Sequence, residues 1–331
     1  MPNLTAGERR RIPLIAILAA AAALYGVFIA RSAFRIAGIT YFTLIDDAMV
    51  SMRYAQHLAR GLGLVWNTGQ PPVQGFTNPA WTLVMALFHL LPLPASKVSL
   101  GVMLLSAVLL LANAAVVYRI GRLLQPASAV APLLAAGLTA FYFPAAFWAL
   151  RGMEVGLLLL LIDAALLLVL AGPGAHPWRA GALLALLLSL AVLTRLDALI
   201  PVLILIAYLV VVRARRPLVL LPLLGVLAAL AAILVFQRLY FGDFLPNTYY
   251  QKMAGASLAE RLRSGLLAFY LYGLRDTALP ALAALAALLA CRDLRRPPAF
   301  LLAALFAAQC LYSIWVGGDY AEPELDSANR F

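Results

Sequence analysis

The 331 residues are 64% hydrophobic and only 12% charged, with a mean hydropathy of +0.94, which excludes a soluble globular domain, where about a quarter of residues are charged. The net charge of +11 does not point to nucleic acid, because the arginines cluster in short segments between apolar runs, as topology signals do. The chain reads as an all-α polytopic membrane protein.

The first apolar run, 12–30, follows Arg9, Arg10 and Arg11 and has no small-residue cleavage site after it. It therefore reads as a retained anchor and not a signal peptide. Further spans are predicted at 98–118, 127–149, 155–171, 181–194, 198–212, 217–239, 266–290 and 299–316, about nine in all, measured against the roughly 20 apolar residues that a bilayer crossing needs. These spans place Arg119 with Arg122, Arg179, Arg213 with Arg215 and Arg216, and Arg292 with Arg295 and Arg296 in the cytoplasm beside the N-terminal arginines. Asp46 and Asp47, with segments 151–154, 194–197, 242–252 and 317–320, then fall outside. The arrangement requires 80–93, about 14 residues, to be a short or re-entrant helix. Cys291 and Cys310 are placed in a cytoplasmic loop and a span, so no disulfide is expected. No internal repeat, low-complexity linker or soluble domain is visible.

The first external loop, about 31–79, carries the polar and aromatic residues that the rest of the chain lacks. Between 48 and 60, Met49, Met52, Ala55 and Ala59 fall on one helical face, and Arg53, Gln56, His57 and Arg60 on the other. Gly61 can take the left-handed conformation that ends helices. The pattern predicts a juxtamembrane amphipathic helix, apolar side toward lipid. Asp46 and Asp47 stand at its start, where the helix dipole favours negative charge. A purely structural role makes Asp46 a cap, with Thr43 three residues before it. Adjacent acids near lipid are costly, however, and with Arg53 seven residues on they point to proton abstraction or cation binding at the membrane surface.

Three other polar islands are predicted on the same side. Arg151 to Glu154 fits a turn with a solvated ion pair. Thr194 to Asp197 fits an Arg–Asp pair at a hairpin tip, and 240–252 an interfacial aromatic belt. Taken together they predict one cavity with cations for phosphate, aromatic faces for a sugar ring and acids for hydroxyls. Asp163, inside an apolar span, fits either a helix contact or a cavity residue. There is no phosphate-binding glycine loop, no nucleophile elbow, and His57, His89 and His176 are too scattered for a zinc motif. A reaction outside the membrane without nucleotides needs a donor already activated in the lipid. A polyprenyl-phosphate sugar meets that need.

The segment DDAMVSMRYAQHLARGLGLVWNTGQPPVQGFTNPAWT resembles the first-loop signature of bacterial GT-C membrane glycosyltransferases. It looks closest to the branch with the terminal arabinofuranosyltransferases of actinobacterial cell walls, the AftB-like family. RGMEVGL, LTRLDALI, YFGDFLPNTYYQKM and WVGGDYAEPELDSANRF resemble further motifs of that family, so the resemblance extends over nearly the whole chain. Two positions depart from it: Gln74 stands where Glu is frequent, which removes it as an acid, and Leu196-Asp197 stands where Pro-Glu is common.

The resemblance implies a GT-C transmembrane catalytic domain over 1–331, with its active site under the first external loop of a multi-pass protein of the bacterial cytoplasmic membrane. It implies transfer of a sugar, arabinofuranose as the family-weighted choice, typically with inversion, from a polyprenyl-phosphate donor to a cell-wall or surface polysaccharide. Asp46 takes the role of general base, and Asp47 that of its partner or of an acceptor or metal contact. An acceptor hydroxyl needs a carboxylate within hydrogen-bond reach as its proton leaves, and the departing phosphate needs cations. Arg53, Arg195 and Lys252 are the candidates, with Tyr249 and Tyr250 as further donors. Trp66, Asn78, Trp81, Glu154 and Asp319 are assigned to sugar or acceptor. No organic cofactor is implied, a divalent cation is compatible with the acids, and membrane lipids are the other expected partners. Family members continue past the ANRF motif, so the chain is expected to be a piece of a longer protein whose external C-terminal domain is truncated after 331. The alternative is a lipid-linked sugar flippase, which would carry its binding residues near the midplane on broken, repeated helices.

Overall fold

The computed structural model describes residues 6–172, 174–213, 216–247, 257–270 and 297–317. Helix α1 spans Ala6–Arg31 and runs into a two-stranded antiparallel hairpin, β1 Ala33–Ile36 and β2 Ile39–Phe42. The hairpin turns at Ala37 and Gly38, both at positive φ (49° and 80°), as a tight two-residue connection of strands with right-handed twist demands. Strands of four residues are too short to register as alternation, which is why the sequence pattern shows no hairpin here. Helices α2 Asp46–Ala59 and α3 Pro79–Leu90 follow. Next come α4 Ala95–Leu124, α5 Val130–Ala140, α6 Phe143–Leu150, α7 Val155–Ala171 and α8 Pro177–Thr194. A 3-10 turn, Leu196–Ala198, leads into α9 Leu199–Tyr208, and beyond it lie α10 Arg216–Phe241, α11 Leu258–Ala268 and α12 Pro297–Val316.

Among the described residues, five helices are long and apolar enough to cross a bilayer: Ile12–Arg31, Ala95–Leu124, Pro177–Thr194, Leu218–Phe241 and Pro297–Val316. Helices α5 and α6 pass the same test only as a pair bent by 43°. The protein is thus a multi-spanning helix bundle with a helical, non-membrane segment between its first two spans. Helix α7 has 17 residues, about 25 Å of rise, and α3 has 12, about 18 Å and too short to cross alone. Residues 271–290 of the span expected at 266–290 lie outside the described residues. Exposed Leu104, Val108, Leu134, Leu224 and Leu239 lie on candidate spans, where lipid is as apolar as the side chain.

The run 127–149, read from sequence as one helix, breaks at Phe141 and Tyr142 for an identifiable reason. Pro144 has no N–H for the carbonyl four residues back, and its ring crowds that carbonyl. The carbonyl so released belongs to Ala140, and the Tyr25 hydroxyl of α1 donates to it at 2.5 Å. Inside a bilayer a freed backbone group needs such a partner, because no water is present to supply one.

Among the described residues, two buried clusters organise the bundle. One joins α1 to α6 through Tyr25, Met52, Trp81, Met85, Met103 and Trp148. The other joins α7 to α10 and α12 through Leu161, Leu184, Leu188, Val202, Leu205 and Leu301. Close helix crossings use small residues: a Cβ on Gly225 of α10 would stand 3.1 Å from Ala185 and Ser189 of α8. At the α11–α12 crossing a Cβ on Gly265 would collide with the Ile314 carbonyl, and backbone cannot yield as a side chain does. Gly265→Ala is therefore expected to cost about 1–3 kcal/mol as an overpacking change. Thermal unfolding of the variant in detergent checks this, and an unchanged midpoint would contradict the close crossing.

Candidate active site

The polar face of the molecule begins where the hairpin returns to the bundle. Ile45 has an extended backbone (φ −70°, ψ 158°) and is the N-cap of α2, with no side-chain cap. Asp46 and Asp47 are therefore the first two helical residues, both exposed. The Asp46 Oδ1 accepts from the Asp47 N–H at 2.8 Å, satisfying one of the donors left unpaired at a helix start. Thr43 makes no capping box, since its hydroxyl donates to the Leu44 carbonyl instead.

Helix α2 is held to the protein by its apolar side. Ala48, Met52 and Ala55 are buried in the cluster that contains Trp81 and Met85 of α3. This corrects the expectation that this side rests on lipid. The buried face is also rotated from the one read by spacing. Met49 is 46% exposed, whereas His57 is buried with Nδ1 paired to the Val65 carbonyl at 2.7 Å. Aromatic α3 offers a larger apolar surface than a helix lying alone would find.

The loop from 60 to 78 folds back over α2. Arg53 donates from Nε to the Trp66 carbonyl (2.7 Å) and from Nη2 to Asn67 Oδ1 (3.1 Å), and its guanidinium lies 4.6 Å from the centre of the Trp66 indole. Arg53 stands about 10 Å along the helix from Asp46. The Tyr54 hydroxyl donates to the Val73 carbonyl (2.6 Å) and accepts from the Gly75 N–H (3.1 Å). Burial raises its pKa above the usual 10, against opposing pulls from the Gly75 bond and Arg53. The last turn of α10 and the segment after it reach the same loop, because Leu64 N–H donates to the Tyr240 hydroxyl at 2.9 Å and Asn247 N–H to the Gln74 carbonyl at 3.3 Å.

Beneath α2 runs a buried polar chain. Ser51 Oγ and Thr82 Oγ1 donate to Asn78 Oδ1 (2.8 and 3.1 Å), and Asn78 Nδ2 donates to Glu154 Oε2 (2.7 Å). Arg195 donates from Nη1 to Glu154 Oε1 (2.7 Å), from Nε to Asp197 Oδ1 (2.8 Å) and from Nη2 to Asp197 Oδ2 (2.6 Å). The Tyr312 hydroxyl of α12 completes the chain at Asp197 Oδ2 (3.1 Å). Burial disfavours the Arg195 charge, but Asp197 and then Glu154 outweigh it and hold the guanidinium above its ordinary value.

Of the residues singled out from sequence, Asp46, Asp47, Arg53 and Trp66 lie together on the exposed surface of the first loop. Asn78, Glu154 and Arg195 meet in the buried chain below them, where Glu154 is 0% exposed. Trp81 is 1% exposed, with its indole N–H donating to the Gly152 carbonyl at 2.8 Å. Tyr249, Tyr250, Lys252 and Asp319 lie outside the described residues. Asp163 hydrogen-bonds to Asn113 of α4, an interhelical contact. Sequence reading missed Ser51, Tyr54 and Tyr312. The first two sit inside the recognisable motif without any charge to mark them, and Tyr312 lies in an apolar run where only packing reveals a partner.

With this geometry in view, the family can be assigned. The family model of Glycosyltransferase family 87 matches residues 76–313. The chain belongs to that family. No curated protein matches it. As a family-87 member the protein is a membrane-embedded, GT-C-type glycosyltransferase and hence an enzyme. The matched region includes Asn78, Trp81, Glu154 and Arg195, and it begins after Asp46 and Asp47. Among the described residues, no three His, Cys, Asp or Glu side chains stand close enough to hold a metal ion. A divalent cation at Asp46 and Asp47 would take its remaining oxygen ligands from substrate and water.

Proposed function

We propose that this family-87 enzyme transfers a sugar, arabinofuranose by its motif resemblance, from a polyprenyl-phosphate donor to a hydroxyl of a cell-wall or surface polysaccharide. The reaction is placed on the extracytoplasmic side of the bacterial cytoplasmic membrane, with inversion. The observation that carries this reading is the contrast between two sets of acids. Glu154 and Asp197 are committed to Arg195, whereas Asp46 and Asp47 are exposed at the start of a helix docked against α3. The acceptor hydroxyl attacks the anomeric carbon, the carbon–oxygen bond to phosphate breaks, and the lipid phosphate departs. Asp46 takes the hydroxyl proton, with Asp47 beside it.

Since the Arg195 donors point at two carboxylates, holding the leaving phosphate falls to Arg53 and Lys252, with Tyr249 and Tyr250. Trp66, at 39% exposure, is the aromatic face for the sugar. Basic Arg119 and Arg122 near the end of α4 support the orientation, being cytoplasmic by the positive-inside rule. The test is a panel of radiolabelled polyprenyl-phosphate sugars offered with glycan acceptors to the purified full-length protein. Label transferred to glycan is expected with one of them. Movement of the lipid-linked sugar across vesicles without transfer would replace this reading with that of a flippase.

A further inference from the structure

The turn after α6 receives bonds from both ends of the loop that carries the acids. Ile45 N–H donates to the Arg151 carbonyl (3.0 Å), the Trp81 indole to the Gly152 carbonyl (2.8 Å), and Asn78 Nδ2 to the Glu154 carboxylate (2.7 Å). Gly152 has φ +92°, and a Cβ there would stand 2.9 Å from both methyls of Leu44, which is itself buried. Glycine is thus required twice at this position, for the left-handed backbone and for the approach of Leu44.

Asp46 and Asp47 are bracketed by these tethers. Ile45, just before them, is fixed to the turn through its backbone. Ser51, just after them on α2, is fixed through Asn78. Glu154 decides how Asn78 stands: its charge requires the amide N–H toward it, which turns Oδ1 to accept from Ser51 and Thr82. Arg195 in turn holds Glu154.

We propose that the 151–154 turn is the positioning platform of the active site, in which Gly152 through Leu44, and Glu154 through Asn78, set where Asp46 and Asp47 stand. The proposal rests on the reading of Asp46 as the base. It makes Gly152, Glu154 and Asn78 positioning residues that act without touching substrate.

The test uses the full-length protein with Cys291 and Cys310 replaced and nitroxides at two exposed sites, Met49→Cys on α2 and Leu104→Cys on α4. The parent should give one narrow label-to-label distance. Gly152→Ala and Asn78→Ala should each broaden or shift it. In unlabelled protein both should lower kcat about a hundredfold, the loss associated with a misplacement of about 1 Å, with KM for the lipid-phosphate sugar unchanged. Unchanged distances in both folded variants would overturn the proposal, as would moved distances with normal kcat. An Asn78→Ala variant with α2 in place and a raised acceptor KM would make Asn78 a substrate contact instead, which also overturns it. If the parent transfers no sugar at all, it is the functional reading that fails, and the distances alone then decide whether this turn places α2.

Discussion

Asp46→Asn is expected to fold normally, bind donor almost as well as the parent, and transfer sugar roughly a hundred- to ten-thousand-fold more slowly, the range that a positioned general base supplies. The side chain is exposed, and among the described residues its Oδ1 accepts from the Asp47 N–H. Asparagine keeps that oxygen and serves helix starts about as well as aspartate. What it loses is the ability to take a proton. Asp47→Asn should slow transfer less if Asp47 only supports its neighbour. Rates and donor affinities of both variants at matched folded yield provide the measurement, and near-normal turnover by Asp46→Asn would return the pair to a purely structural role at the start of α2.

Arg195→Gln is expected to lower stability by about 3–5 kcal/mol, the usual consequence of removing one partner from a buried ion pair. Glu154 is fully buried and loses its cation, while Asp197 loses a bidentate partner. Adding Glu154→Gln should recover part of the loss, because the uncompensated buried charge then disappears. The two changes should accordingly couple by about 0.5–3 kcal/mol rather than add. Denaturant unfolding in detergent of both single variants and the double variant measures that coupling. A normally stable Arg195→Gln protein with donor binding weakened about tenfold, or 1.4 kcal/mol, would instead give this arginine the phosphate-holding role suggested by its motif.

Much of this was legible in the chain itself. The runs 12–30, 98–118, 181–194, 217–239 and 299–316 correspond to the five helices long enough to span among the described residues, because hydropathy is a local property that needs no partner. The helix that carries Asp46 and Asp47 was visible in its apolar periodicity and in Gly61, which adopts φ +75° just past the helix end. Pro144, too, can be read locally as a breaker, although its consequence cannot: that the freed Ala140 carbonyl would find Tyr25 depends on α1 lying beside α5.

The side-chain assignments divide in the same way. The sequence by itself determined the class of protein, the positions of its main spans and the presence of an acidic helix start in the first loop, all of which follow from residues close to one another in the chain. Only the tertiary structure decided that Glu154 and Asp197 share Arg195, that Trp81 is a buried prop of the Gly152 turn, that the apolar side of α2 meets α3, and that Tyr312 reaches Asp197 across 115 positions. The physical reason is that a buried charge or polar group must find a partner, and which partner it finds depends on which helices become neighbours.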